Sequence, residues 1–269
     1  MLSAPSSRPA GSVQYHNNGR VVIVTGGCNG IGRAIAECFA VSGATVVVAD
    51  IDSALSKTLP QSIHYRTVDV SSEEQCESLI EWTFATFGGI DVLVNNAAIQ
   101  PPSSYVRVED VDRTNYERMV SINLSGYLFM AKHCLKVMRQ QKSGVVINIS
   151  SGQGHRTARQ VPVYGPIKAA NILQAMQWGV EYARDGIRVV SVSPGAIDTP
   201  LVRASLEAQG GERELANRHP LGRIGRPEEI AHAVLWLTSA DASFVTATDL
   251  SVDGGLQAFG AFADPYDTA

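Results

Sequence analysis

The sequence predicts an α/β domain of doubly wound architecture, in which helices cover both faces of a parallel sheet. Short apolar runs such as 21–25 and 45–49 show no alternation of polar and apolar residues, so both faces of these strands are expected to be buried. Segments with helical periodicity separate the runs, and this alternation of strand and helix is typical of such folds. With 269 residues, of which 45% are hydrophobic, the chain is long enough for one domain of this kind.

Each element has its own signal in the sequence. Apolar residues within 31–39 recur at i, i+4, i+7 and i+8, and Gly43 follows where a helix ends. Acidic residues in the first turn favour a helix over 72–87 because they oppose the helix dipole. Pro227, followed by two glutamates, opens the last helix. The predicted strands, which form a mostly parallel sheet of seven, are 21–25, 45–49, 63–68, 90–94, 145–149, 187–192 and 250–252, and two further helices are predicted over 115–140 and 164–184.

The chain divides into a lead-in, one domain and a tail. Residues 1–19 are rich in Ser, Pro, Asn and Gly and lack the apolar stretch of a signal peptide, so we expect a disordered extension and a cytoplasmic protein. Residues 20–257 contain no repeat or linker that would divide them, and we expect a single domain there. Residues 258–269 form a C-terminal tail, either disordered or in contact with a neighbouring subunit.

Composition excludes several classes of partner. The formal net charge of −4 argues against nucleic acid, because nucleic-acid-binding domains usually carry a basic patch. No uncharged apolar run approaches the ~20 residues of a membrane helix, so we expect no membrane partner. The four cysteines form no CxxC pair and the six histidines show no metal-binding spacing, so we expect no metal site.

A glycine-rich turn connects the first strand to the first helix. Gly26, Gly30 and Gly32 leave room for a pyrophosphate to approach the backbone, and the helix N-terminus offers N–H groups to an anion. The spacing Gly-x-x-x-Gly-x-Gly differs from the commoner Gly-x-Gly-x-x-Gly pattern. We interpret the turn as a nucleotide-binding loop; the alternative is a tight turn with a structural role only.

A carboxylate closes the second strand, 18 residues after Gly32. At that place Asp50 can accept hydrogen bonds from the adenosine ribose of NAD, and its charge would repel the additional phosphate of NADP. Asp50 or Asp52 could instead cap the following helix. We assign the ribose role to Asp50 and the capping role to Asp52, which predicts NAD as the coenzyme, with NADP disfavoured.

Tyr164 and Lys168 form a Tyr-x-x-x-Lys pattern, which places both side chains on one face of a helix. A tyrosine hydroxyl with a pKa near ~10 is a poor base at neutral pH, and a nearby ammonium lowers that pKa. Pro166 is tolerated between them only in the first helical turn, so the helix is expected to begin at Tyr164. The pattern alone occurs by chance, and its context decides its meaning.

That context is a set of further motifs. Ser151 lies 13 residues before Tyr164, just after a predicted strand, and Asn123 is a polar residue in a mostly apolar helix. The remaining motifs are Asn95-Asn96-Ala97-Ala98, Pro194-Gly195, Asp198-Thr199-Pro200, Gly222-Arg223-Ile224-Gly225-Arg226-Pro227-Glu228-Glu229-Ile230 and Asp253-Gly254-Gly255. Together they resemble the short-chain dehydrogenase/reductase family, in its form of about 250 residues, over residues 20–256.

The resemblance implies a Rossmann-type fold and hydride transfer between a nicotinamide coenzyme and a substrate. It implies that Tyr164 is the acid/base, that Lys168 lowers the tyrosine pKa and binds the nicotinamide ribose, and that Ser151, rather than its neighbour Ser150, orients the carbonyl. Asn123 matches the asparagine that holds a water of the proton relay. The expected coenzyme contacts are Gly26, Asn29, Gly30, Ile31, Gly32, Asp50, Ile51, Asp69, Val70, Asn96, Ala97, Ala98, Tyr164, Lys168, Pro194, Gly195, Ile197 and Thr199.

Two positions depart from the family pattern, since Ala98 and Ile167 stand where glycine and serine are usual. We expect an NAD-dependent oxidoreductase that interconverts a secondary alcohol, or a sugar or polyol hydroxyl, and its carbonyl. An NADPH-type ketone or 3-oxoacyl reductase is the alternative. A non-catalytic dinucleotide-binding regulator is the alternative of another class, and the intact catalytic positions count against it.

The substrate contacts are predicted only from their place in the chain. Gln100 and Gln153 follow strands at the expected catalytic edge, and His155, Arg156 and Arg159 precede Tyr164. We take Gln100, Gln153, His155 and Arg159 as candidate contacts to a small-molecule substrate; a solvated loop is the alternative for the charged residues. The polar segment 201–219, with its Gly-Gly pair, is a candidate lid over the substrate; the alternative is a plain pair of surface helices. We expect a homodimer or homotetramer that uses helices 115–140 and 164–184.

Overall fold

Seven strands, all parallel, form one sheet in the computed structural model, which describes residues 11–206 and 210–260. This confirms the predicted doubly wound sheet of seven strands, and every strand pair in it is parallel. The strands are β1 (Val21–Thr25), β2 (Thr45–Asp50), β3 (Ile63–Thr67), β4 (Val92–Asn95), β5 (Gly144–Ile149), β6 (Ile187–Pro194) and β7 (Thr248–Val252). The α-helices are α1 (Gly30–Val41), α2 (Ser53–Ser56), α3 (Glu73–Phe87), α4 (Arg113–Val120), α5 (Gly126–Gln141), α6 (Tyr164–Tyr182), α7 (Pro200–Arg203), α8 (Gly211–Asn217) and α9 (Pro227–Thr238).

The strand order β3-β2-β1-β4-β5-β6-β7 creates a switch point between β1 and β4. The chain winds outward from β1 to β3, then crosses to β4 and continues in the other direction. Loops at the carboxyl ends of β1 and β4 therefore diverge and leave a crevice, which is where doubly wound proteins bind ligands. The predicted glycine loop follows β1 at this edge, and Ser151 follows β5 there.

Two apolar layers cover the sheet, as its fully buried strands require. One layer packs α1 and α9 against alternate strand residues such as Val22 and Val24. The other packs α3, α5 and α6 against the opposite face, where Ile23 points. Since successive strand residues face opposite layers, neither face of β1 can be polar, and this explains the continuous apolar runs of the sequence.

The helix predicted over 115–140 is interrupted in the structure. It comprises α4, a π-helical turn at Ser121–Ser125 and α5. The wider turn contains Asn123, whose buried side chain bonds to a loop outside the helix. Single π turns within α-helices often occur at functional sites. Apolar periodicity does not reveal such a turn, because the flanking helices keep their buried faces.

The N-terminal lead-in is shorter than predicted. Tyr15 packs against the core, and the backbone N–H and side-chain amide of Asn17 donate to the carbonyl and Oγ of Ser42 at 2.7 and 2.8 Å. Residues 15–19 therefore belong to the packed structure, whereas 1–10 and 261–269, which contain most of the predicted extension and tail, lie outside the described residues. Within the described ranges, no helix is both long and apolar enough to cross a bilayer.

Candidate active site

A cleft of about 690 Å³ lies at the carboxyl edge of the sheet. Segments that are far apart in the sequence, including the loops after β1, β2, β4, β5 and β6, form its walls. The expected coenzyme residues that line it are Gly26, Asn29, Gly30, Ile31, Asp50, Ile51, Asp69, Val70, Asn96, Ala97, Ala98, Tyr164, Lys168, Pro194, Gly195, Ile197 and Thr199. The expected coenzyme residue Gly32 and the expected catalytic residue Asn123 do not line the cleft.

The glycine loop has the geometry of a cradle. Gly26 has a φ of +63°, and a Cβ there would lie 2.8 Å from the Ala97 Cα. Asn96 fixes the loop to β4, because its Nδ2 donates to the carbonyls of Thr25 and Gly26 at 2.9 and 3.1 Å. Gly32 does not line the cleft; it faces the Gly26 carbonyl so closely that a side chain would not fit. Its role is thus the close packing of α1 against the loop.

The first turn of α1 offers its N–H groups to the cleft. The side chain of Asn29 makes no capping hydrogen bond to them. A helix start without a side-chain cap carries partial positive charge and suits a pyrophosphate. The cradle, the bare helix start and the cleft-lining carboxylate of Asp50 fit a dinucleotide.

The adenosine end of the cleft lies at the end of β2. The Asp50 carboxylate accepts from the backbone N–H groups of Cys28 and Asp52 at 3.0 and 3.1 Å, which fixes its orientation. The Asp52 side chain instead accepts from Ala54 and Leu55 and caps α2, as the sequence analysis assigned. Asp69 and Val70 line the same end of the cleft.

Tyr164 opens α6 and is buried, with 8% of its surface exposed. Burial raises the pKa of its hydroxyl, as does the nearby Tyr105, while the hydrogen bond with Ser151 lowers it. The raised value differs from the lowered pKa that the resemblance implies. Burial is the largest cause of this rise, since desolvation disfavours the phenolate. The Lys168 Nζ lies 5.6 Å from the centre of the Tyr164 ring.

Lys168 is 1% exposed. Its Nζ donates to the Ile149 carbonyl at 2.8 Å and to the Tyr127 hydroxyl at 3.2 Å. Burial lowers the pKa of Lys168 to about 7, since desolvation disfavours the ammonium. The neighbouring serines differ in position, because Ser151 contacts Tyr164 whereas the Ser150 Oγ donates to the Lys168 carbonyl at 2.7 Å.

Asn123 supports the cleft from behind. Its Oδ1 accepts from the backbone N–H of Ile99 at 2.8 Å, and its Nδ2 donates to the Ile99 carbonyl at 2.8 Å. Ile99 lines the cleft. The Asn123 carbonyl also accepts from the Asn171 amide at 3.1 Å, which ties the π turn to α6.

His219 connects the candidate lid to the loop after β6. Its Nε2 accepts from the Ala196 backbone N–H at 3.0 Å, so the ring proton lies on Nδ1 and is donated to the Leu215 carbonyl at 2.9 Å. The ring packs so closely that a Cβ on Gly195 would lie 2.8 Å from Nε2. His219 is absent from the residues predicted from the sequence, because its position in the chain gives no signal of this contact.

The predicted substrate residues divide into two groups. Gln100 and Gln153 line the cleft. His155 does not, because its Nε2 pairs with the buried Asp249 carboxylate at 2.8 Å, and Arg159 is exposed outside it. Neither side chain belongs to the cleft lining, and contact of either with a substrate stays a prediction. Other cleft residues absent from the predicted contacts include Tyr105, Arg156, Thr157, Ala158, Leu201, Val202, Ser205, Leu215, Arg218, Leu256, Gln257 and Phe259.

Comparisons with known proteins agree with this geometry. A family model described as enoyl-(acyl carrier protein) reductase matches residues 26–257. A cis-4-hydroxycyclohexanecarboxylate dehydrogenase of Sinomonas cyclohexanicum is 38% identical over 246 residues, covering 89% of this chain and 97% of the relative. The chain belongs to the short-chain dehydrogenase/reductase family. It is therefore an oxidoreductase, a dehydrogenase or reductase that acts on a small molecule.

Solved structures of short-chain dehydrogenases/reductases share the fold. Aldohexose dehydrogenase of Thermoplasma acidophilum superposes with a TM-score of 0.85 at 35% identity, covering 93% of this chain and 98% of the other. A 3-ketoacyl-(acyl-carrier-protein) reductase of Brucella melitensis, solved in complex with NADH, gives a TM-score of 0.83 at 28% identity, covering 89% and 99%. Family membership and this complex together indicate a nicotinamide dinucleotide as the coenzyme.

Proposed function

We propose that this chain is an NAD-dependent dehydrogenase/reductase that interconverts a secondary alcohol and its ketone. The observation that carries the proposal is that Ser151, Tyr164 and Lys168 line the same cleft as the Asp50 carboxylate. One end of the cleft therefore suits a proton transfer and the other an adenosine ribose. Sugars and polyols belong to the same reaction class and are included in the test.

In this proposal, Tyr164 moves the proton and Ser151 holds the reacting oxygen. In the oxidative direction, the Tyr164 phenolate takes the hydroxyl proton of the alcohol as its C–H bond breaks. A bound nicotinamide coenzyme would supply the hydride acceptor for oxidation and the hydride donor for reduction. The Lys168 ammonium stabilises the phenolate, and its pKa of about 7 means that its charge depends on pH in the neutral range.

The preference for NAD rests on the charge near Asp50. Two backbone N–H groups hold its carboxylate at the end of β2. Among the described residues that line the cleft, the lysine and arginine side chains are Arg156, Lys168 and Arg218, and none of them belongs to the β2–α2 turn. A 2′-phosphate beside Asp50 would therefore meet a negative charge without a compensating cation.

We favour an apolar alcohol over a polyol because hydrocarbon side chains contribute to the cleft lining. Ile99, Leu201, Leu215 and Leu256 supply them, beside the polar side chains of Gln100, Gln153 and Arg156. The relative from Sinomonas cyclohexanicum, whose name gives a ring hydroxyl as its site of action, is consistent with this choice. We therefore expect cyclic secondary alcohols to be better substrates than sugars.

Assembly and location are part of the proposal. Apolar side chains are exposed on α5, at Leu128, and on α6, at Leu173 and Val180, and a second copy of the chain would cover them in a homodimer or homotetramer. Light scattering on the purified protein measures this directly. The four cysteines, which form no disulfide in the structure, are consistent with the reducing cytoplasm.

The central experiment measures NADH or NADPH formation with cyclic alcohols, linear alcohols, sugars and hydroxy acids, and the reverse reaction with ketones and a 3-oxoacyl thioester. We expect turnover with a secondary alcohol and NAD. The Tyr164→Phe variant should lose at least about a thousandfold in kcat while NADH binding persists, because the proton carrier is gone. Tyr182→Phe, at the other end of α6, is the matched control and should retain activity.

Other outcomes would decide for the alternatives. Turnover of the 3-oxoacyl thioester with NADPH, and none with alcohols and NAD, would make the chain a reductase of that type. Tight NADH binding without turnover in any arm would make it a binding protein. Asp50→Ala should lower the NAD over NADP preference about tenfold, whereas Asp52→Ala should preserve it; equal ratios in both variants would contradict the ribose role.

A further inference from the structure

Tyr127 is a buried titratable residue that the proposed reaction does not use. It lies in the first turn of α5, is 1% exposed, and is not among the residues that line the cleft. Its hydroxyl donates to the Ile149 carbonyl at the end of β5, at 2.9 Å. A tyrosine hydroxyl has a single proton, so its oxygen acts as an acceptor toward any other partner.

That other partner is Lys168. The Nζ donates to the Tyr127 oxygen at 3.2 Å and to the Ile149 carbonyl at 2.8 Å. The Ile149 carbonyl, which has two lone pairs, therefore accepts from both side chains, and the three groups close a small hydrogen-bonded ring. Two of the three N–H donors of the ammonium are used in this ring, which leaves one for the cleft that Lys168 lines.

Few other groups stabilise the positive charge of Lys168. Burial lowers its pKa to about 7, and within the described part of the chain no carboxylate forms an ion pair with it. The rings of Tyr127 and Tyr164 have their centres 5.0 and 5.6 Å from Nζ, within the range of cation–π attraction. Tyr127 therefore supports the ammonium both through its ring and through its oxygen.

We propose that Tyr127 is a positioning residue for Lys168. The Tyr127 hydroxyl oxygen stabilises the charged ammonium of Lys168 and leaves one N–H of that ammonium directed to the cleft. The inference rests on the proposed function, in which the charged Lys168 stabilises the Tyr164 phenolate. A role in packing would need only the aromatic ring, which phenylalanine supplies equally well. The hydroxyl is thus the feature that separates the two roles.

The direct test measures the titration of Lys168 in the Tyr127→Phe variant. NMR of protein labelled with ¹³C at lysine Cε monitors this titration. The chain has five lysines, and only Lys168 is buried, so its signal should titrate at the lowest pH. A hydrogen bond to a charged donor corresponds to roughly one to two pH units. We expect the Lys168 titration to move down by about one unit in the variant and to stay in place in the control variant Tyr182→Phe.

The rate of ketone reduction gives a second readout. Reduction requires the charged Lys168, so the rate falls as the pH rises through its pKa. In Tyr127→Phe this falling limb should move to lower pH by about one unit, with activity on the acidic side within about threefold of the wild type. A uniform loss at every pH, without displacement of the limb, would indicate a packing role and overturn the proposal.

The two proposals fail in different ways. The NMR titration needs neither substrate nor coenzyme, so it reports on Tyr127 even if no substrate is turned over. A wild-type protein that binds NADH without turnover refutes the proposed function. An unchanged Lys168 titration in Tyr127→Phe refutes the role of Tyr127, whatever the activity.

Discussion

The side chain of Asn123 makes two hydrogen bonds to one backbone residue, so the cost of removing it can be worked out. In Asn123→Ala, the N–H and the carbonyl of Ile99 each lose a partner at 2.8 Å. An unsatisfied buried group costs roughly 1–3 kcal/mol. Ile99 is half-buried, so water replaces part of the loss, and we expect the free energy of unfolding to fall by about 2–4 kcal/mol.

Urea unfolding followed by far-UV circular dichroism measures this loss. The midpoint should fall at an unchanged slope, because the surface exposed on unfolding is nearly the same. Asn115→Ala is the matched control. Asn115 is a half-buried asparagine of α4 whose Nδ2 donates to the Ser103 Oγ in a solvent-exposed hydrogen bond, and removal of its side chain should change stability by less than about 0.5 kcal/mol.

Asn123→Asp separates the two hydrogen bonds. An aspartate keeps the acceptor for the Ile99 N–H but presents an oxygen to the Ile99 carbonyl, where the native Nδ2 donates. It should therefore destabilise the protein despite its equal size. A loss below about 0.5 kcal/mol in Asn123→Ala, or an Asn123→Asp variant as stable as the wild type, would refute the reasoning.

Three further predictions follow from single contacts. Gly26→Ala should weaken NADH binding at least about tenfold, because the added Cβ would meet Ala97; fluorescence titration measures this. The control is Gly88→Ala, at a φ of +80° with nothing within 4 Å of the added Cβ, and it should leave NADH binding unchanged. His219→Leu should weaken NADH binding about tenfold, because the Ala196 N–H loses its acceptor; an unchanged Kd would contradict this link. The Arg223 guanidinium, which bonds to Glu229, lowers the pKa of that carboxyl to about 2. The stabilising effect of this ion pair is present above the unfolded pKa of about 4.3 and is lost as the pH falls toward 2. In thermal melts, Glu229→Gln should therefore be less stable than the wild type at pH 7 and equally stable near pH 2. A stability difference that does not change with pH would contradict the ion pair.

Much of the fold could be predicted because its signals are local. The strand at 21–25 has the same bounds in the structure, since five consecutive apolar or β-branched residues can only be buried between two layers. Tyr164 begins α6 as Pro166 required. The π turn around Asn123 could not be predicted, because its cause is a hydrogen bond to Ile99, 24 residues earlier in the chain.

The candidate site shows the same difference between residues with local sequence signals and residues whose contacts lie far away in the chain. Residues expected from the glycine loop and from the strand ends meet in the cleft, because the carboxyl ends of parallel strands share one edge. His155 pairs with Asp249, 94 residues away, and its neighbours in sequence give no sign of this contact. The charged loop before Tyr164 therefore contributes Arg156 to the cleft instead.

The sequence by itself determined the parallel sheet, the glycine loop and the Tyr164–Lys168 spacing, because periodicity and local backbone preference act over a few residues. Only the tertiary structure decided the pKa values and the hydrogen-bond partners of Tyr164 and Lys168. Burial raises the pKa of Tyr164 and lowers that of Lys168, and the partner of the Lys168 ammonium is Tyr127, 41 residues away. Desolvation and hydrogen bonding depend on everything packed around a group, and that environment exists only once distant segments have come together.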